Sequence, residues 1–349
     1  MPRYAAADLV LFAASLLEKS GVTRRIAITV AEVLVEGDLL GHDTHGLAQL
    51  PAYLDELAGG RMAKGGEPVV LSDRGPAVAW DGQRLPGPYL VRQAVDLACE
   101  RAPLHGLCGI SIRRSHHIAC LAAYLKRVTD RGLVMLLFSA DPNQGSVAPF
   151  GGTRALYTPN PIAAAWPTDG APVMIDISAS ITTNAMTARR AREGVRFPAP
   201  WLLDAAGHPT DDPNALFTNP PGTILPLGGM EAGHKGYGLA LLVEAMANGL
   251  AGQGRARAQD KWGANVFVLV FDPEAFGGRD AFTAEAGWLA TQIRVNPPRP
   301  DVEAVRLPGE RGLARRAAAL REGVPLHASI LPALAPWAEK LGAALPKSH

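Results

Sequence analysis

The lengths of the apolar runs constrain this chain most. Residues 69–71, 77–80, 107–112, 133–138, 162–166, 173–177 and 266–271 are short apolar stretches bounded by turn residues, the pattern of strands. Asp73-Arg74-Gly75-Pro76 between the first two is hairpin chemistry. Helical spacing recurs around them at 8–19, 24–40, 51–57, 88–102, 119–131, 181–193, 239–250, 281–293, near Arg315 and at 330–345. The chain therefore mixes α and β throughout. Residues 196–223, rich in Pro, Asp and Asn, read as a long surface excursion, and 239–250 as a helix buried on nearly all sides.

A chain of 349 residues is long enough for roughly two domains, one of them possible as interleaved segments. Lys+Arg 34 against Asp+Glu 33 leaves a formal charge of +1, so neither nucleic acid nor an anionic membrane is the expected partner. A small molecule is. Cys99, Cys108 and Cys120 have no metal-type or redox-type spacing and read as unpaired thiols in a reducing compartment. The first residues lack a signal-peptide pattern, and the richest apolar segments are too short to cross a bilayer, which makes a cytoplasmic location the default expectation.

Chemistry-bearing residues concentrate in a few places. Asp38-Leu-Leu-Gly-His-Asp-Thr-His-Gly46 packs carboxylates, imidazoles and a hydroxyl at a helix end, where such groups are seldom needed for packing. If the last helical turn continues past Gly41, Asp38, His42 and His45 share one face. Arg113-Arg-Ser-His-His117 forms a second histidine cluster at a strand end. Asp176 interrupts an apolar run and so needs a partner, for which a histidine is a good candidate, while Ser178 and Ser180 are placed to cap the next helix. Gly228 to Gly238 reads as a glycine-rich anion loop, with Lys235 just ahead of a helix N-terminus; a flexible cap on a core helix is its plainer reading. No Gly-x-Gly-x-x-Gly follows a strand, and neither a P-loop nor a Gly-x-Ser-x-Gly elbow occurs.

Taken in order, Gly41-His-Asp-Thr-His-Gly46, Ser115-His-His117, Pro149-Phe-Gly-Gly152 with Asn160-Pro161, Asp176-Ile-Ser178, and Pro226-Leu-Gly-Gly229 with His234-Lys-Gly-Tyr-Gly238 resemble the malate/L-lactate dehydrogenase-like family of NAD(P)-dependent oxidoreductases. The resemblance spans nearly the whole chain. It implies a mixed α and β fold around a largely antiparallel central sheet, a dinucleotide site without a Rossmann unit, and a homodimer whose cleft the partner subunit completes. It places the family's catalytic histidine on His45, a second on His117 and its partner aspartate on Asp176. Thr44, Gln49 and Asn160 then fall at substrate positions. Cofactor contacts, to NAD or NADP, fall on Ala140, Asp176, Ile177, Ser178, His234, Lys235, Gly309, Glu310 and Arg311. The implied layout is a helical segment over 1–75, a sheet domain over 76–310 and C-terminal helices over 311–349 that return to the N-terminal part.

Three positions depart from the family pattern. Gln49 stands where an arginine is expected, Pro159 where a threonine is, and His116 where an asparagine is. A fixed guanidinium for a substrate carboxylate is thus missing at residue 49, leaving either another cation, such as Arg113, Arg114 or Arg189, or a less anionic substrate. The expected reaction is hydride transfer between a nicotinamide and C2 of a small 2-hydroxy/2-oxo acid or related imino acid. His45 first and His117 second exchange the substrate proton, and Asp176 fixes the tautomer of His45. Alternatives are a metal-dependent hydrolase or lyase built on Asp38, His42, His45 and His117, and a cofactor-binding protein that has lost catalysis; the first reading needs no metal ligand.

Overall fold

The computed structural model describes residues 2–258 and 261–348. The chain opens with β1 (Arg3–Tyr4) and two helices, α1 (Ala6–Lys19) and α2 (Arg24–Leu40), followed by α3 (Leu50–Ala58). The hairpin β2 (Val69–Asp73) and β3 (Ala77–Asp81) leads through α4 (Gly87–His105) to β4 (Leu107–Ser115). Next come α5 (Ala122–Thr129), β5 (Val134–Ala140), β6 (Pro161–Trp166), β7 (Val173–Ser178) and α6 (Asn184–Glu193). Short strands β8 (Leu202–Leu203), β9 (Pro209–Thr210) and β10 (Thr223–Ile224) precede α7 (Gly229–Val243) and β11 (Ala264–Phe271). The chain ends in α8 (Arg279–Arg294), α9 (Glu310–Glu322), β12 (Val324–Pro325) and α10 (Ile330–Leu341).

The main sheet has seven strands in the order β2-β3-β4-β11-β5-β6-β7. Every pairing is antiparallel except β3 with β4, which α4 joins as a crossover. Val266, Val268 and Val270 of central β11 are fully buried, as are Ile110 and Ile112 beside them. Those side chains meet Val91, Ala94 and Val95 of α4 and the buried stripes of α1 and α2 in one large core. Antiparallel pairing of β1 with β12 ties the N-terminus to the segment after α9.

Three local expectations change. Helix α2 stops at Leu40: Gly41 adopts φ 86°, its N–H bonds to Asp38 O and that of His42 to Gly37 O, a left-handed glycine closure. Asp38, His42 and His45 therefore do not continue one helical face. The glycine-rich stretch is itself the start of α7, and its glycines allow close packing rather than an open loop. A Cβ on Gly236 would lie 2.4 Å from the backbone of Leu227, and one on Gly233 2.9 Å from Phe150. The helix is also not buried all round, since Met230, Leu241 and Leu242 are exposed. The third change is the segment 196–223, which folds into a small sheet of order β10-β8-β9 with its own core of Phe197, Leu202 and Ile224.

Candidate active site

Closure of α2 at Gly41 turns the chain across the mouth of a cavity of about 870 Å³. The turn carrying His45 is held from several sides. Asp38 Oδ2 accepts the Leu47 N–H at 2.8 Å, and Gly46 passes so close that a Cβ there would lie 2.3 Å from Asp38 Oδ1. Arg189 of α6 grips Asp43 through its carboxylate at 3.0 Å and its carbonyl at 2.9 Å, and Gln49 donates to Thr44 O at 2.7 Å. Burial pushes the Asp38 carboxyl up to about 7, against the opposing hydrogen bond from Leu47. Asp38 Oδ1 has no hydrogen-bond partner.

His117 reaches the same cavity from the segment after β4. There a Cβ on Gly87, at the start of α4, would sit 2.3 Å from His116 O and 2.4 Å from His117 O, so only glycine permits this helix end to seat against the turn. His117 Nδ1 lies 2.9 Å from Tyr53 Oη and accepts the Ala119 N–H at 3.3 Å. With Nδ1 accepting, the ring proton resides on Nε2. His116 is assigned the same way: Nδ1 accepts from the His117 N–H at 2.9 Å and Nε2 faces Glu56 at 3.2 Å.

The rings of His45 and His117 face each other with centroids 5.9 Å apart, and Trp262 stacks at 5.1 Å from His117. Burial lowers the proton affinity of His45, partly offset by the charge of Asp176, and lowers that of His117 well below the ordinary histidine range, with His45 and His116 adding to the effect. His45 Nδ1 pairs with Thr44 Oγ1 at 2.8 Å, so the ring contact expected from Asp176 is made instead by a hydroxyl, which can donate or accept. Asp176 instead accepts the Ala122 N–H at 2.8 Å, at the first turn of α5, and the Cys120 thiol at 3.6 Å. It acts on His45 through its charge.

Among the sequence candidates, Thr44, His45, Gln49, His117, Ala140, Asn160, Asp176, Ile177 and Ser178 line the cavity. The Asn160 side chain is engaged within the protein, donating to Glu244 Oε1 at 2.8 Å and accepting from Thr158 Oγ1 at 2.9 Å. His234 and Lys235 lie instead on the exposed face of α7 that also carries Leu241 and Leu242. Gly309 packs at φ 94° on Met174, Glu310 is engaged by Arg294 Nε at 2.6 Å and the Leu307 N–H at 2.9 Å, and neither they nor Arg311 line the cavity. Sequence reasoning missed Tyr53, Cys120 and Trp262, whose positions carry no local motif. It also set His42 aside, although His42 lines the cavity.

The proposed substitute cations are spent elsewhere: Arg113 and Arg114 pair with Asp81 at 3.0 Å and 2.8 Å, and Arg189 with Asp43. No lysine or arginine lines the cavity among the described residues. The metal set proposed on Asp38, His42, His45 and His117 is not assembled: among the described residues the donor atoms close enough to share one ion belong to His42, Cys120 and Asp176.

Comparison with known proteins gives this arrangement its relatives. A family profile described as malate/L-lactate dehydrogenase matches residues 4–335. The L-lactate dehydrogenase of Cupriavidus necator is 33% identical over 341 residues, covering 96% of each chain. The Delta(1)-pyrroline-2-carboxylate/Delta(1)-piperideine-2-carboxylate reductase of Pseudomonas syringae pv. tomato is 30% identical over 318 residues, covering 87% of each. The crystal structure of malate dehydrogenase from Entamoeba histolytica superposes with a TM-score of 0.93 at 22% identity, over 99% of both chains, a likeness of fold. With the sequence motifs, the largely antiparallel sheet and the profile in agreement, the chain belongs to the malate/L-lactate dehydrogenase family of NAD(P)-dependent oxidoreductases.

Proposed function

We propose that the cavity carries out reversible hydride transfer between NAD(P) and C2 of a small 2-hydroxy/2-oxo acid or a related imino acid, with His45 exchanging the substrate proton. The observation that carries this reading is the pair of buried imidazoles with ring centroids 5.9 Å apart and different hydrogen-bond partners. His45 Nδ1 has a hydroxyl partner that either donates or accepts, so this ring is free to take up and release a proton at Nε2. His117 is held with its proton on Nε2, and this N–H donates to the substrate oxygen or nitrogen and polarises the bond that is reduced. Asp176 stabilises the protonated form of His45 as charge develops on it.

The residues present fit a nicotinamide dinucleotide. A cavity of about 870 Å³ is in the size range of cofactor sites, and residues 182–186, spanning the N-terminus of α6, line it where backbone N–H groups suit a phosphate. Ser139, Ala140, Asp176, Ile177 and Ser178 also line it. When bound, the nicotinamide supplies or accepts the hydride. Trp262 packs against the rings of His116 and His117, at 4.7 Å and 5.1 Å, and keeps bulk water from that side of His117. With neutral amides and hydroxyls in place of a guanidinium, the acid end of the substrate is met by hydrogen bonds from groups such as Gln49.

A homodimer completes the reading. Met230, Leu241, Leu242 and Leu250 along α7 and the turn after it are exposed, as are Trp288, Leu289 and Val295 at α8, an apolar area that a second copy would cover. His234 and Lys235 then lie within that contact. The helices within 1–75 and 311–349 act together to deliver His45 to the sheet domain, to which β2 (Val69–Asp73) belongs although it lies before residue 76.

The direct test is a spectrophotometric screen of NADH and NADPH oxidation against 2-oxo acids, cyclic imino acids and ureido acids. Turnover with at least one carbonyl or imine acid is expected. Cofactor binding without turnover across the panel would support a protein that has lost catalysis and would overturn this reading.

A further inference from the structure

One side of the cavity gathers three metal-type donors, of which the proposed hydride transfer uses only Asp176. His42, Cys120 and Asp176 each present one ligand atom, and these atoms all lie within 4.8 Å of one another. Cys120 is 2% exposed yet lines the cavity, and its Sγ stands 3.6 Å from Asp176 Oδ2. A zinc ion about 2.3 Å from sulfur and about 2.0 Å from oxygen, at a tetrahedral angle, sets those two atoms about 3.5 Å apart. The sulfur–carboxylate edge therefore already has the spacing of a zinc site. Its third corner is the His42 ring, which the tight turn from Gly41 to His45 brings across from another element.

We propose that His42, Cys120 and Asp176 form a binding site for one zinc-like divalent cation, and that its occupation switches the oxidoreductase off. Sulfur, imidazole and carboxylate together select a borderline metal such as Zn²⁺ over Mg²⁺ or Ca²⁺, which take oxygen ligands. Three protein ligands leave a fourth position facing the cavity, open to water or to a substrate carboxylate. Binding forms a sulfur–metal bond, and the Cys120 thiol proton leaves to solvent; no electron is transferred. Inhibition rests on the function proposed above, because Asp176 cannot both ligate the cation and stabilise protonated His45. Binding itself does not depend on that function.

The test is a titration of the chelator-treated, full-length protein with Co²⁺, followed by displacement with Zn²⁺. One equivalent of Co²⁺ is expected to produce a thiolate-to-cobalt charge-transfer band in the near ultraviolet that Zn²⁺ abolishes. Cys120→Ser removes the band, and His42→Gln weakens binding by at least about tenfold, as loss of even an outer-shell partner does. In the oxidoreductase assay, Zn²⁺ inhibits the unmodified enzyme reversibly by chelator, and Cys120→Ser, measured against its own zinc-free rate, requires at least about tenfold more Zn²⁺ for the same fractional inhibition. No band at stoichiometric Co²⁺, or a band that survives Cys120→Ser and so belongs to Cys99 or Cys108, overturns the site. If Cys120→Ser fails to fold, the affinity of His42→Gln decides it. Should the protein turn over no substrate at all, the cobalt spectrum still decides the site, and only the function proposed above fails.

Discussion

At the scale of single residues, the division of labour between His45 and His117 depends on the Ala119 N–H, which donates to His117 Nδ1 and places the ring proton on Nε2, beside the Tyr53 hydroxyl, which contacts both that nitrogen and the His117 carbonyl. Tyr53→Phe removes the hydroxyl at Nδ1. It is expected to lower kcat on the order of tenfold, the worth of one buried hydrogen bond, with little change in KM. Nitrogen-15 shifts of His117 should then show both tautomers, whereas an unchanged single tautomer would assign the control to Ala119 alone. Asp38 gives a pH-dependent prediction. Its folded value of about 7 lies above the ordinary carboxylate value of 3.8, so the folded state binds the extra proton and stability is lost as pH rises between those values. Asp38→Asn should therefore gain in melting temperature relative to the unmodified protein as pH goes from 5 to 8. His116 acts with the opposite sign: with burial holding it near 4, stability is lost as pH falls from 6.5 toward 4. Comparing the two proteins at each pH cancels the His116 contribution. His45 and Asp176 could be picked out from residue type and motif, but Tyr53, Cys120 and Trp262 could not, because they meet the site only through contacts between residues distant in sequence.

At the scale of elements, the sequence patterns located the strands of the main sheet because each is a short apolar run with turn residues at both ends, as at 133–138 and 266–271. The start of α7 was not legible. Glycine has low helix propensity, and only the approach of Leu227 and Phe150 explains why Gly233 and Gly236 stand inside a helix. The 196–223 segment was illegible for a related reason: its strands are two residues long, too short for any alternation to register. The first turn of α4 makes the sharpest element-scale prediction. Gly87→Ala places a methyl against the His116 and His117 carbonyls, and the backbone there must move. A loss of about 1–3 kcal/mol in stability and a larger fall in kcat than in cofactor affinity are expected, measured by denaturant unfolding and by cofactor fluorescence titration. A variant with unchanged turnover would show that α4 does not set the position of His117.

At the scale of the whole molecule, the chain's two ends close on each other through β1 and β12, and the packed helices α1 and α2 carry the His45 turn to the edge of the sheet. Among the described residues, α7 carries an exposed apolar row of Met230, Leu241 and Leu242. Sedimentation velocity should report a dimer for the unmodified protein and a monomer for the Leu241→Asp, Leu242→Asp double variant; a monomer in both cases would remove the second copy from the account. Among the described residues, no helix is long and apolar enough to cross a membrane. The central claim is that one imidazole carries the substrate proton, and the measurement that reaches it most directly is kcat/KM of His45→Ala with the substrate found in the screen. The account predicts a loss of about 10²- to 10⁴-fold, with the fold and the dissociation constant of NAD(P)H unchanged. Full turnover by a folded His45→Ala would contradict it.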